Sequence, residues 1–262
     1  MNRSTPRLIN LNADLGESFG AWTMGQDQAL LPWLGAANIA CGFHAGDPLV
    51  MRRTVRAAQA LGVSLGAHPS FPDLQGFGRR RMDIAPDELE ALLIYQIGAL
   101  QAMAQSEGAA LSHVKPHGAL SNMACADPAL AAVVAAAVRA LDAQLILLAP
   151  ACSALADAGR QAGLRVALEV FADRRYLPDG QLQPRSQAGA VIHDSAEALA
   201  HVLAMLRAEA LISPDGPPLP TAIHSVCVHG DSPEALATAQ ALHSGLRAAG
   251  YQLASLSEVL AA

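Results

Sequence analysis

Aromatic side chains are scarce in this chain, which has two tryptophans, three tyrosines and five phenylalanines among 262 residues. Charge is also scarce, at 15% of residues against a hydrophobic fraction of 52%. Ala, Leu and Val must therefore build the core, which suits close helix–strand packing. A net charge of −6 supplies no basic face and argues against a nucleic-acid partner. The four cysteines, Cys41, Cys125, Cys152 and Cys227, form no C-x-x-C pair and have no zinc-ribbon spacing. That usage suits a reduced, cytoplasmic chain. No apolar run reaches the roughly 18 residues of a membrane span. The apolar stretch near the N-terminus is too short for a secretory signal. Gly-Lys-Ser/Thr does not occur, "DLGESFGAW" lacks G-x-G-x-x-G spacing, and there is no G-x-S-x-G elbow.

What the sequence does have is rhythm. Short apolar runs predict strands at 7–14, 36–44, 63–69, 111–118, 144–150, 165–173 and 223–231, with a weaker eighth at 251–256. Ala/Leu-rich helical stretches lie between them. "PLVMRRTVRAAQAL" follows Asp47 as N-cap, and "DPALAAVVAAAVRAL" opens on Asp127 and Pro128. "APDELEALLIYQIGALQAMAQSEG", "SAEALAHVLAMLRAEAL" and "SPEALATAQALHSGLRAAG" have the same form, the last with Asp231 as a candidate cap. This alternation predicts right-handed βαβ units and a parallel sheet. Seven or eight units favour one irregular parallel β/α barrel domain over residues 1–262, with an open doubly wound sheet as the alternative. Three long loops, 16–27, 70–83 and 174–192, leave C-terminal strand ends, where barrel function resides. The connector "ISPDGPPLP" (212–220) precedes a strand and is expected on the opposite face.

The strand ends carry the chemistry. "HVKPHGAL" puts His113, Lys115 and His117 on one face. The first strand similarly aligns Asn10, Asn12 and Asp14, and the second Asn38 and His44. The third ends in His68 and Ser70. The sixth carries Glu169, Asp173 and Arg174, and the seventh Ser225, His229 and Asp231. Only "QLILLAP" ends without a titratable group. Helix-facing positions of a barrel strand must be apolar, so the polar ones converge on the lumen and its mouth. A collection of buried charges is hard to explain as packing.

Each residue also has a structural reading. A lone strand histidine is ordinarily a hydrogen-bonded core residue, and Asp47 and Asp231 read as caps. Glu17 can favour a following helix start. Arg79, Arg80 and Arg81 can be a solvated run. His113 lies deep in its strand and reads as structural, while His201 and His243 read as helix surface. Cys41 and Cys227 read as small core residues. As a group, Lys115 suits anion binding, or general-base work if its pKa is depressed. His117 and His229 suit proton transfer, Asp14 or Asp173 can orient water or a histidine, and Arg174 can clamp an anion. The chemistry indicated is acid–base hydrolysis of an anionic substrate. No H-x-x-x-H or H-x-H pair supplies local metal ligands, so no tightly bound metal is expected.

Six ordered blocks extend this reading: "LNADLGESFG", "NIACGFHAGDP", "GAHPSFPDLQGFGRR", "VKPHGAL", "EVFADRRYLPDGQLQPRS" and "VCVHGDSP". Together they resemble the LamB/YcsF family, the A component of the prokaryotic ATP-dependent 5-oxoprolinase. Ala13 stands where a Cys is common, and Ser121 where "HGALYN" would have Tyr. The resemblance implies an irregular barrel related to the glycoside hydrolase/deacetylase superfamily. It implies cleavage of 5-oxo-L-proline to L-glutamate with ATP hydrolysis, in a complex with subunits B and C, with Mg2+ accompanying ATP on the assembled complex. The expected catalytic residues are Asp14, Lys115, His117, Asp173 and His229. Asn12, Glu17, His44, His68, Arg79 and Arg174 are expected to bind substrate. The alternatives are a stand-alone metal-dependent deacetylase or amidohydrolase with its ion at Asp14, His44 and His68, or a non-catalytic metabolite-binding subunit.

Overall fold

A computed structural model describes residues 7–230 and 233–262. Its strands are β1 (Arg7–Leu15), β2 (Ala36–Ala40), β3 (Ser64–His68), β4 (Leu111–Val114), β5 (Ile146–Pro150), β6 (Arg165–Phe171), β7 (Ala210–Leu211), β8 (Leu219–Pro220), β9 (Ser225–Val228) and β10 (Tyr251–Leu253). β1 to β6 and β9 run parallel, and β9 pairs with both β6 and β1, which closes a seven-stranded barrel. The weaker eighth strand is real but is not a stave of that ring. β10 pairs with Arg7–Ile9, the start of β1, whereas β9 takes Asn10 to Ala13.

Alternation explains the two sides of the wall. Ile9, Leu11, Ala13 and Leu15 of β1 join Val55, Leu93, Ile97 and Leu242 of the surrounding helices in one apolar core. Asn10, Asn12 and Asp14 take the other face and are buried in the lumen. Part of the lumen is apolar: Ala36, Ile146, Leu148 and Ala167 pack with Leu256 of the C-terminal helix. β5 gives its lumen face to that plug, which is why it alone carries no ionisable strand end. His113 fills the space opened by a glycine on β3. It donates from Nε2 to Asn38 Oδ1 at 2.8 Å and is the structural residue its depth predicts.

The predicted helices are present as Pro48–Ala60, Pro86–Ser106, Pro128–Leu141, Ser195–Ala208 and Ala235–Ala248. Asp47 and Asp127 cap theirs, each accepting from two backbone amides. Asp231, the candidate cap of the last, lies outside the described residues. Helices Gly118–Ala126 and Ala154–Gln161 are absent from the sequence-based expectation. Both are short and each contains a glycine, so their periodicity is weak. Helix Ser195–Ala208 stops before the expected Leu211 because Glu209 turns left-handed, at φ 48°. The next residues pair antiparallel as β7 and β8. That fold-back corrects the placing of 212–220 on the opposite face: a Cβ at Gly216 would sit 2.8 Å from Cβ of Pro178, in the loop after β6.

Gly66 on β3 is the tightest point of the lumen. A Cβ there would fall 2.1 Å from Nε2 of His113, a buried ring with nowhere to retreat. Gly66→Ala is therefore expected to cost about 1–3 kcal/mol of stability. Chemical denaturation of the two chains measures this, and an unchanged midpoint would mean the lumen has slack.

Candidate active site

The chain contains one lysine, Lys115, and it is buried. Its ammonium lies 2.9 Å from Asp14 Oδ1, 3.2 Å from Glu169 Oε1 and 3.0 Å from Cys227 Sγ. Amides hold these partners in place. Asn12 Nδ2 donates to Glu169 Oε1 and Ser225 Oγ, both at 2.8 Å. Asn38 Nδ2 donates to Asn12 Oδ1 at 2.7 Å and to Asp14 Oδ1 at 2.8 Å. Burial works against the charge on Lys115, but Asp14, Cys227 and Glu169 outweigh it and hold its pKa well above the usual lysine value. Burial likewise opposes the charge on Asp14, and His68 and Lys115 overcome it, keeping that carboxyl well below its usual range. Burial pushes Glu169 upward despite Lys115. Lys115 is thus a fixed cation, which corrects the option of a lysine general base.

A histidine group adjoins this network. His68 Nδ1 lies 2.6 Å from the Lys115 carbonyl, and His117 Nε2 lies 2.8 Å from that of Phe77. Their other nitrogens, His68 Nε2 and His117 Nδ1, are 2.9 Å apart. Asp14 Oδ2 is 3.3 Å from His68 Nε2, and Glu17 Oε1 is 3.1 Å from His44 Nε2 and 3.6 Å from His117 Nδ1. The His44 and His117 rings stack at 3.9 Å. Burial drives both of these imidazoles well below the usual histidine value. Ligand atoms of Glu17, His44, His68 and His117 all lie within 4.8 Å of one another, close enough to hold a metal ion.

Above them opens a cavity of about 860 Å3, lined by Asp14, His68, Lys115 and His117 and edged by Arg79, Arg81, Arg174, Arg185 and His229. The long loops after β3 and β6 line it, while the loop after β1 contributes Glu17 behind His117. Asp73 binds Arg80 and fixes the loop after β3, while Arg79 lies over the Phe77 ring at 4.9 Å. The arginine run is therefore divided: Arg80 is a tether, and Arg79 and Arg81 face the cavity. Arg174 is 5% exposed; its Nη2 donates to the Gln183 carbonyl at 2.6 Å and its Nε has no partner. Burial, then Arg185, lowers its pKa to about 10. His201, expected on the surface, instead donates from Nε2 to the Arg174 carbonyl at 3.1 Å. His243 is also more than surface: it packs edge-on against Trp33. His229 Nδ1 lies 2.8 Å from Asp173 Oδ2, and its ring stacks on Phe171 at 5.3 Å.

The geometric bet of the sequence holds in its main part. Asp14, Lys115, His117, His68, Arg79, Arg174 and His229 share one cavity. Asp173 stands behind His229 and reaches the cavity through it. Asn12 is fully buried beside Lys115, while Glu17 and His44 lie behind His117. None of the three lines the cavity, which revises their expected contact with substrate to support of the residues that do. Glu169, Cys227, Arg81 and Arg185 are missing from the sequence-based site. Glu169 shares the Asp173 face of β6, so alternation alone points to it. Arg185 sits in a loop without periodicity and leaves no such signal.

The chain thus folds as an irregular seven-stranded parallel β/α barrel with an acid–base floor and a cationic rim. Its fold is shared with the catalytic domain of a peptidoglycan N-acetylglucosamine deacetylase from Eubacterium rectale, at a TM-score of 0.52, 12% identity and coverage of 99% of this chain and 92% of that one. The particular family is set by sequence: the chain belongs to the LamB/YcsF family, whose profile matches residues 9–261. It is 62% identical over 251 residues to the A component of 5-oxoprolinase from Azoarcus sp. strain BH72, covering 96% of this chain and 98% of that protein. It also superimposes on a lactam utilization protein from Thermus thermophilus at a TM-score of 0.88 and 44% identity, covering 94% of this chain and 99% of that one.

Two expectations follow for stability. Lys115→Met strands Asp14 and Glu169 beside an apolar chain. The loss is expected to be about 3–5 kcal/mol, the usual cost of breaking a buried ion pair. A variant as stable as the parent by thermal and denaturant unfolding would show that the ammonium is dispensable. Burial, aided by Lys115 and His68, also lowers the His113 pKa to about 3. Below about pH 6.5 the unfolded chain binds a proton there, and the native chain does not. Stability should thus be full above that pH and decline below it, by up to about 1.4 kcal/mol per pH unit for each such histidine. Asp14 acts further down, losing its contribution as pH falls below the unfolded carboxylate value of about 3.9. Melting temperatures between pH 8 and 4 test this, and a flat profile would contradict it.

Proposed function

We propose that this chain is the ring-opening component of a multi-subunit 5-oxoprolinase that converts 5-oxo-L-proline to L-glutamate with ATP hydrolysis. The observation that carries the reading is the near full-length identity to a protein named as the A component of 5-oxoprolinase. The cavity suits that chemistry. The substrate is a small lactam bearing a carboxylate, and the unpartnered Nε of buried Arg174 is a donor suited to an anion. Asp173 only accepts from His229, so the proton sits on Nδ1 and Nε2 is the basic nitrogen. His229 then takes a proton from water as the oxygen adds to the ring carbonyl carbon. Lys115, its charge largely met by Asp14 and Glu169, forms the floor against which the uncharged reacting carbonyl rests. The C–N bond breaks, and the proton held by His229 passes to the departing nitrogen. With ATP, the γ-phosphoryl group first passes to the amide oxygen and ADP leaves; breaking the C–N bond then gives an acyl phosphate, and a second water releases inorganic phosphate and L-glutamate. In this reading Asp14 fixes Lys115, and His117 and His68 shape the floor.

Residues 1–262 act as one barrel unit in the cytoplasm, with subunits B and C as partners and Mg2+ accompanying ATP on the assembled complex. Among the described residues no helix is long and apolar enough to cross a membrane. The test is glutamate release from 5-oxoproline, with this chain alone and with both partner subunits. Release is expected only from the assembled complex and only with ATP. His229→Asn in that complex should assemble normally and lose about 100- to 10,000-fold in kcat. Full turnover in the variant removes His229 from the mechanism, and ATP-independent amide hydrolysis by the lone chain refutes the reading.

A further inference from the structure

The facing nitrogens of His68 and His117 pose a problem that the reaction above does not use. A backbone carbonyl can only accept, so the hydrogen of His68 is on Nδ1, toward the Lys115 carbonyl at 2.6 Å. For the same reason the hydrogen of His117 is on Nε2, toward the Phe77 carbonyl at 2.8 Å. In two neutral rings, His68 Nε2 and His117 Nδ1 are then both lone pairs. They face each other at 2.9 Å, with carboxylate oxygens of Asp14 and Glu17 at 3.3 and 3.6 Å. Lone pairs gathered this closely repel unless a cation lies among them.

We propose that Glu17, His44, His68 and His117 form a site for one divalent transition-metal ion of the zinc type. Zinc–nitrogen bonds of about 2.0–2.1 Å in a tetrahedron put neighbouring ligand atoms about 3.3–3.4 Å apart. The separations of 2.9, 3.1 and 3.6 Å among these atoms bracket that spacing. Three imidazole nitrogens and one carboxylate suit zinc, cobalt or nickel better than the oxygen-seeking magnesium or calcium. The two carbonyls do what outer partners of metal-bound histidines do: they fix the tautomer and aim the free nitrogen. His68 and His117 also line the large cavity, so the ion stands at its wall. The ligands come from the ends of four successive strands, which is why no short-range ligand spacing announces the site. The set differs from the Asp14–His44–His68 alternative in its carboxylate: Glu17 Oε1 lies 3.1 Å from His44 and 3.6 Å from His117, whereas Asp14 Oδ1 is held by Lys115 and Asn38 and its Oδ2 lies 3.3 Å from His68. The inference rests on geometry and stands apart from the lactam reading.

The rival cation is a proton shared between the two rings. The experiment uses the full chain, stripped with a chelator and titrated with zinc chloride, with uptake followed by competition against a chromophoric chelator. Cobalt chloride supplies a second probe through the visible absorption of a tetrahedral, nitrogen-ligated ion. One equivalent of zinc is expected, with a rise in melting temperature. Glu17→Gln and His44→Gln should each weaken uptake at least 10-fold. Cys152→Ser, which removes an exposed thiol that could bind zinc elsewhere, should leave uptake unchanged. If the ligand variants do not fold, nitrogen-15 NMR of the parent decides: zinc should move the resonances of His68 Nε2 and His117 Nδ1. Absence of stoichiometric uptake, uptake indifferent to Glu17 and His44, or a metal-free imidazolium at His68 that zinc does not displace would each overturn the proposal.

Discussion

The lumen depends on one ammonium. Lys115 sits between Asp14 and Glu169, and each polar residue around it is placed to make that arrangement tolerable. A buried charge survives only if its partners are close and their remaining valences are filled. Asn12 and Asn38 fill most of them, linking Glu169, Ser225, Asp14 and His113 into a continuous network in which Glu169 Oε2 is left without a partner. The Lys115 amide donates to the Ala67 carbonyl at 2.9 Å, and its own carbonyl orients His68. One side chain therefore organises the floor electrostatically, and its main chain organises the histidine group beside it.

Much of this was legible in the sequence because a barrel strand has two faces with different duties. Alternation on 7–14 separates Ile9, Leu11 and Ala13 from Asn12 and Asp14, and the structure keeps that separation. Alternation tells which face a residue takes, but not how deep it lies. Asn12 and Asp14 are two residues apart on one face, yet only Asp14 reaches the cavity. Depth depends on the relative register of the strands, and register is set by the whole closed ring. His201 was illegible for a different reason. Its helical position suggests solvent, but the loop after β6 folds back over it and brings the Arg174 carbonyl within reach. Loops without periodicity conceal what they cover, and they conceal their own contributions, as with Arg185.

The rim and the floor carry different kinds of positive charge. Lys115 is surrounded by carboxylates and a thiol, so little of its field is left for a second strong partner. Arg174 is buried too, with Arg185 and Arg79 set against Asp173 in its surroundings and a hydrogen bond to the Gln183 carbonyl. Its unsatisfied Nε raises the cost of leaving that side of the cavity without an anion. In the function we propose, the anionic part of the substrate lies toward the arginines and its uncharged reacting part toward Lys115 and His229.

That orientation bears on which histidine moves protons. His68 and His117 each commit one ring nitrogen to a backbone carbonyl and crowd the other against its neighbour, and burial holds His117 neutral. Moving a proton through such a ring means releasing the one that holds it to a backbone carbonyl, which breaks contacts that keep the floor together. His229 is under neither constraint. Its side chain is 14% exposed, one nitrogen is fixed by Asp173 and the other is not. A carboxylate behind it offsets the charge it acquires, so protonation there meets a prepared counter-ion. Those two environments are the reason we propose proton transfer at the rim, above a rigid floor that holds charge still.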